Sequence, residues 1–259
     1  MSLPVYLGPV TGVAPGDRVR VEGEEARHAV VVRRTRVGEQ VVVTDGEGTA
    51  ATGEVVEASK NALVVHVSHV RRDQPAAPHV TVVQAIPKGD RGELAVEVLT
   101  EVGVDRVVPW AAARCVGVWR GERAEKSLAK WRATAREAAK QARRSRLPEV
   151  TPMAGTADVV ELLAAADLGV VLHEVAGTAF ADLPLVADPR FGAATGVSSV
   201  VSSVVVVVGP EGGLSDEEVA LLADVDGTHV VTLGPTVLRT STAGVVAVGA
   251  LLSRTPRWH

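Results

Sequence analysis

Over the first part of the chain, apolar and polar positions alternate in short runs: Arg18 to Val21, Gln40 to Thr44, Ala50 to Val56 and Ala62 to Val67. Period-two alternation sends successive side chains to opposite faces of a strand. Gly38-Glu39, Asp45-Gly46-Glu47-Gly48 and Lys60-Asn61 separate the runs as turn signals. The spacing predicts a small, strongly bent sheet or barrel of about 70 residues. His28 to Arg36 is expected to cross it as a short helix or loop.

The pattern changes at Arg71-Arg72-Asp73-Gln74-Pro75-Ala76-Ala77-Pro78. A first domain over 1–72, a linker over 73–78 and a second domain over 79–259 follow from the two prolines and the polar cluster there. Beyond it, strands are expected at Val80 to Ala85, Arg106 to Pro109, Leu168 to Leu172, Val204 to Val208 and Val230 to Leu233. Helices are expected at Gly92 to Val102, Glu125 to Arg143, Ala157 to Ala165, Ser215 to Asp224 and Thr242 to Ser253. Such alternation predicts an α/β domain with a largely parallel sheet covered on both faces. Ser215 followed by Glu218 forms a capping box. Gly192 to Ser203 reads as a flexible small-residue loop, and no internal repeat is visible.

Two of the strands end in glycine-bearing turns that lead into helices: Gly209-Pro210-Glu211-Gly212-Gly213 and Leu233-Gly234-Pro235. A turn without Cβ atoms can bring bare backbone groups close to a ligand. Neither turn matches G-x-G-x-x-G or G-x-x-x-x-G-K-[ST]. The helix after the first opens with Ser215-Asp216-Glu217-Glu218, whose carboxylates would repel a pyrophosphate placed there. An adenosine-like ligand without phosphates fits better. Tight turns of purely structural use are the alternative.

The net charge of −4 hides an asymmetry. Arg114 to Arg146 holds eleven Lys or Arg against three acidic residues, whereas Gly155 to Thr232 holds twelve acidic residues against Arg190 alone. Within the basic segment, Leu128, Trp131, Ala135, Ala138 and Ala142 make a narrow apolar stripe. Arg132, Arg136, Lys140, Arg143 and Arg144 cluster beside it, and Arg33, Arg34 and Arg36 extend the footprint from the first domain. One cationic helix face suits a phosphate backbone, with a solvated charged helix as the plainer alternative. With aromatics at 3%, readout on a stacking platform is disfavoured, so binding rests on phosphates and shape.

Other chemistries find little support. His28, His66, His69, His79, His173, His229 and His259 show no paired ligand spacing, and Cys115 alone makes no typical zinc site, so no metal is expected. Cys115 beside Val116 reads as a small buried side chain, and no Gly-x-Ser-x-Gly elbow occurs. A single cysteine excludes an internal disulfide and fits a reducing cytoplasm. No apolar run reaches the roughly 18 residues of a membrane span. Met1-Ser2-Leu3-Pro4 opens no basic and then apolar leader, so no secretion signal is expected.

Several motifs together carry a resemblance. They are His28 with Val32-Arg33, Val37-Gly38-Glu39 and Asp45-Gly46; Ala85-Ile86-Pro87-Lys88-Gly89-Asp90-Arg91; Glu101-Val102-Gly103-Val104; and Arg114-Cys115. Glu137-Ala138-Ala139-Lys140-Gln141, Arg143-Arg144 and Pro148 follow, then Gly209 to Gly213, then Leu233-Gly234-Pro235 with Leu238-Arg239-Thr240. Over nearly its whole length the chain resembles the 16S ribosomal RNA uridine-N3 methyltransferases, a family of the SPOUT superfamily.

The resemblance implies a PUA-like N-terminal barrel and a C-terminal domain tied in a deep trefoil knot, against the general rule that chains do not thread their own loops. It implies S-adenosylmethionine as methyl donor, held by Leu172 and His173, Gly209, Pro210, Glu211, Gly212 and Gly213, and Leu233, Gly234 and Leu238. It further implies 16S rRNA of the small ribosomal subunit as partner, and a homodimer. Arg239 is the candidate to stabilise charge on the target base, with donor or phosphate anchoring and a plain surface ion pair as alternatives. Relatives commonly carry Glu where this chain has Ser241, so no carboxylate base is assigned there. A SPOUT enzyme with another RNA target and a non-catalytic RNA-binding assembly protein are the competing functions.

Overall fold

A computed structural model of the chain describes residues 3–117, 119–185 and 201–258. Of the segment expected as a Gly/Ser loop, residues 192–200 lie outside the described residues, as does His259. The chain forms two compact units: residues 1–75 with 139–147, and 76–138 with 148–259. A single linear boundary near Pro75 does not express the return of 139–147 to the first unit.

The first unit is a five-stranded sheet of β1 (Val5–Leu7), β2 (Arg18–Glu22), β3 (Gln40–Thr44), β4 (Thr49–Ser59) and β5 (Ala62–Arg72), in the order β1-β3-β4-β5-β2. β1 runs parallel to β3, and the other pairs are antiparallel. The β4–β5 ribbon is longer than its alternating core predicts. It bends at register shifts between Thr52 and Gly53 and between Val55 and Glu57. A Cβ on Gly53 would sit 2.2 Å from the His66 carbonyl oxygen, so the bend needs glycine there. Inward positions such as Val19, Val21, Val41, Val43, Leu63 and Val65 fill the core around Tyr6. A short helix α1 (Gly23–Arg27) passes into a π-helical turn, His28–Val32, where a helix or loop was expected.

Segment 139–147 is held to this unit by several bonds. Leu147 N–H donates to the Gly46 carbonyl at 2.8 Å and Gly48 N–H to the Ser145 carbonyl at 2.9 Å. The Arg146 guanidinium donates twice to the Asp73 carbonyl, at 3.0 and 2.8 Å.

The second unit is a seven-stranded sheet in the order β10-β12-β9-β11-β6-β7-β8. Its strands are β6 (His79–Ala85), β7 (Arg106–Trp110), β8 (Glu149–Val150), β9 (Leu168–Leu172), β10 (Thr178–Ala179), β11 (Ser203–Val208) and β12 (Thr228–Thr232). Every neighbouring pair is parallel. Central β11 shows why its sequence is nearly all valine. Val204, Val206 and Val208 join a core cluster with Leu99 and Leu251, while Val205 and Val207 join another with Leu163 and Leu222. A strand buried on both faces has no polar side to show. The helices are α2 (Arg91–Val102), α3 (Glu122–Gln141), α4 (Thr156–Ala164), α5 (Asp216–Ala223) and α6 (Thr240–Leu252). α2 and α6 approach closely, because a Cβ on Gly244 would already lie 3.1 Å from Leu99.

α3 ends earlier than its sequence pattern suggests. Arg143 turns left-handed with φ 54°, and Arg144 N–H closes back on the Ala139 carbonyl at 2.9 Å. Ala142 therefore leaves the apolar stripe and is exposed. The rest of the stripe is packed: Trp131 meets Trp119 edge to face at 5.0 Å.

Candidate functional site

The ends of parallel strands that carry glycine turns open onto one cleft of about 490 Å³ in the second unit. Three segments line it: Leu172 to Glu174 after β9, Val208 to Leu214 after β11, and Thr232 to Thr240 from the end of β12 into α6. Binding at the carboxyl ends of strands is the general pattern of open α/β sheets. Every residue expected to hold a donor therefore lies along this cleft, and Arg239 lies there with them.

Each wall has a local cause. His173 N–H donates to the Val231 carbonyl at 2.9 Å, tying the first loop to β12, and His173 Nδ1 accepts from Val175 N–H at 3.3 Å. In the second loop Gly213 turns back with φ 71°, its N–H on the Pro210 carbonyl at 3.0 Å. A Cβ on Gly212 would lie 3.1 Å from Arg114 Cβ and 3.2 Å from the Arg114 carbonyl oxygen. Arg114 Nη1 donates to the Leu214 and Gly212 carbonyls at 3.0 and 3.4 Å. Glu211 Oε1 accepts from Lys88 N–H at 3.1 Å. In the third segment Gly234 is left-handed at φ 77°, and Arg239 caps α6 by accepting from Thr242 and Ala243 N–H, each at 2.9 Å.

Two buried polar side chains brace these loops. Gln84, at the end of β6, donates Nε2 to the Thr240 carbonyl at 3.2 Å and fixes the start of α6. Glu218 is only 4% exposed, and Ser215 Oγ accepts from its N–H at 3.2 Å, while its Oε2 accepts from Ser215 N–H at 3.0 Å. This is the expected capping box. Glu218 Oε1 also accepts from Ala113 N–H at 2.8 Å and Thr156 Oγ1 at 3.5 Å, so a buried carboxylate joins three segments.

The cleft mixes charges: Arg91, Arg114 and Arg239 face Glu174, Glu211 and Asp216. Arg91 and Arg114 belong to motifs of the family resemblance but were not among the residues expected at the donor, and the fold brings both to this cleft. Among the described residues neither Arg91 nor Arg239 forms an ion pair, which leaves both guanidinium groups available. Ser241, second residue of α6, is 3% exposed. Cys115 touches the Trp110 carbonyl through Sγ at 3.6 Å, and burial pushes its thiol up from the ordinary value, the reverse of an activated nucleophile. Among the described residues no three His, Cys, Asp or Glu come together as a metal site, and no helix is long and apolar enough to cross a membrane.

The cationic residues divide. Arg132, Arg136, Arg33, Arg34 and Arg143 are exposed, and Arg144 is half-buried. Arg132 also donates Nε to the Val150 carbonyl at 3.0 Å. Lys140 departs from the expected exposed face: it is 6% exposed, with Nζ 2.9 Å from Glu25 Oε1.

Comparison with known proteins decides the family. The RNA methyltransferase domain profile matches residues 74–252, and the RNA methyltransferase PUA domain profile matches 21–68. Ribosomal RNA small subunit methyltransferase E of Mycobacterium bovis is 44% identical over 242 residues, 92% of this chain and 87% of that protein. The chain belongs to the ribosomal RNA small subunit methyltransferase E family. The Bacillus subtilis member is 31% identical over 91% of this chain and 90% of its own length. Two solved structures share the fold with a TM-score of 0.83 each. One is a Legionella pneumophila methyltransferase in complex with SAM, 27% identical and covering 98% of this chain and 99% of that one. The other is the Neisseria gonorrhoeae ribosomal RNA small subunit methyltransferase E bound to S-adenosyl methionine, 25% identical, with 98% of each chain covered. The α/β fold with a parallel sheet and a PUA-like N-terminal domain, expected from the motifs, is borne out.

Proposed function

We propose that this chain transfers the methyl group of S-adenosylmethionine to N3 of a uridine in 16S rRNA of the small ribosomal subunit. It does so as a cytoplasmic homodimer whose C-terminal domain is knotted. The observation that carries the reading is the cleft where three loops meet, two of them glycine-marked, in a family of ribosomal RNA methyltransferases with relatives solved in complex with this donor. A volume of about 490 Å³ is ample for a nucleoside-sized ligand. Its walls offer backbone N–H and C=O groups, and the carboxylates of Asp216 and Glu217 at the start of α5 disfavour a nucleotide pyrophosphate.

In this reading Leu172, His173, Gly209 to Gly213, Leu233, Gly234 and Leu238 hold the donor. When bound, it supplies a methyl group already activated by the sulfonium. Methylation forms a bond from N3 to the methyl carbon as the carbon–sulfur bond breaks toward sulfur, and the N3 proton passes to water. Arg239 stabilises the negative charge that spreads onto the uracil O2 and O4. Positioning by the rigid loops supplies much of the rate. Ser241 offers no carboxylate, so the proton is not routed to that position. Arg33, Arg34, Arg132, Arg136, Arg143 and Arg144 contact RNA phosphates, with Lys140 supporting them from within its pair with Glu25.

Arg239→Ala tests the role of the cleft. Single-turnover methyl transfer is expected to fall about 100-fold or more, with donor affinity by calorimetry changed far less. Unchanged transfer would remove Arg239 from the reaction.

A further inference from the structure

A second, smaller cleft of about 90 Å³ lies wholly within the N-terminal unit. Its lining brings together Tyr6, His28 and Arg33 from the sheet and its π-helical turn, and Lys140 and Arg143 from the returning segment 139–147. No carboxylate belongs to the lining. The Glu25 carboxylate is already engaged: it pairs with buried Lys140 at 2.9 Å and accepts from Leu7 N–H at 3.1 Å. The two arginines are exposed, and among the described residues neither guanidinium has an ion-pair or hydrogen-bond partner.

The backbone that presents them is unusual at both points. Arg143 has φ 54°, and Arg34, next to Arg33, has φ 58°, a region non-glycine residues visit at a cost. Each turn is firmly closed. Arg33 N–H donates to the His28 carbonyl at 2.9 Å, and Thr35 N–H to the Ala29 carbonyl at 3.0 Å. Buried Thr35 meets the Tyr6 hydroxyl at 2.6 Å, so the wall of the cleft also anchors the Arg33 turn. Arg143 N–H closes on the Lys140 carbonyl at 3.1 Å, which fixes the second turn. Strained, over-determined turns that aim two unpaired cations at one hollow are what a small anion site requires.

We propose that this cleft binds one backbone phosphate of the RNA substrate, gripped jointly by Arg33 and Arg143, with His28 and the Tyr6 wall setting its depth. The proposal rests on the RNA methyltransferase reading above and deepens it. RNA register is then fixed on the N-terminal unit at one discrete point rather than along an open helix face.

The test is a double-mutant cycle with the full-length protein and protein-free small-subunit rRNA, measured by fluorescence anisotropy over a salt series. Arg33→Ala and Arg143→Ala are each expected to weaken binding about five- to tenfold. The double variant should lose clearly less than the product of the two, because both arginines serve one phosphate. The slope of log K against log[salt] should drop by about 0.7 in the double variant, one single-stranded contact. Arg143→Gly should bind RNA as poorly as Arg143→Ala while its Tm stays at or above wild type, since glycine accepts φ 54° without strain. Unchanged affinity and slope in the double variant overturn the site, as does strict additivity with two contacts' loss of slope. A wild-type protein that binds this RNA yet transfers no methyl group to small ribosomal subunits lacking the modification contradicts the methylation reading instead, and leaves the cleft standing.

Discussion

Glu211 Oε1 accepts a hydrogen bond from the Lys88 backbone N–H at 3.1 Å, joining the loop after β11 to the loop after β6 across 123 positions of sequence. The bond fixes the Gly-Pro-Glu-Gly-Gly turn against the segment that delivers Arg91 to the same cleft. Glu211 thus shapes the wall through the backbone of a neighbour. Glu211→Ala is expected to weaken donor binding about three- to tenfold, the scale of one net hydrogen bond. Glu211→Gln, whose amide oxygen still accepts, should lose less. Calorimetry of both variants checks this, and equal losses would indicate that the charge itself touches the donor.

Gly212 is held to a hydrogen side chain by space. A Cβ there would come within 3.1 Å of Arg114 Cβ and 3.2 Å of its carbonyl oxygen. Gly212→Ala must push the loop away from Arg114, at about 1–3 kcal/mol of stability. The denaturant midpoint should fall, and donor affinity should fall with it. A variant as stable as wild type would show that the loop yields freely.

Glu218 is the most heavily engaged carboxylate near the cleft, bonded to Ser215, Ala113 and Thr156. Glu218→Ala removes a helix cap and strands the Ala113 N–H. The two losses together are expected to cost about 2–4 kcal/mol. Urea unfolding measures it, and a loss below about 1 kcal/mol would contradict the bracing role.

Asp167 offers a test by pH. Hydrogen bonds from the Ser202 hydroxyl, then from the Ser202 and Ser203 backbone, hold its carboxyl below the usual range. These bonds tie the turn before β9 to the start of β11. A carboxyl lowered in the fold stabilises it above the unfolded value of about 3.9, and that contribution is lost as pH falls through the lowered folded value. The Tm gap between wild type and Asp167→Asn should be open at pH 7 and close below about pH 4. A gap of constant size across this range would exclude the carboxylate as its source.

What was legible in the sequence follows from how local each cause is. The valine run of β11 and the Ser215–Glu218 box announce themselves because burial on both faces and helix capping act over a few residues. The gathering of the three cleft loops was legible through the family motifs. The end of α3 was not, because Arg143 carries a left-handed turn that glycine usually marks. Lys140 read as one more exposed cation, whereas its buried ammonium pairs with Glu25, 115 positions earlier in the chain. β1, β8 and β10, at two or three residues each, are too short to carry a period.

The most direct measurement is methyl transfer from radiolabelled S-adenosylmethionine to small ribosomal subunits that lack the modification, mapped by nucleoside mass spectrometry. Label recovered as 3-methyluridine at one 16S rRNA site, and lost with Arg239→Ala, is the predicted result. Label at another nucleoside, or none despite measurable donor binding, would contradict the proposed reaction.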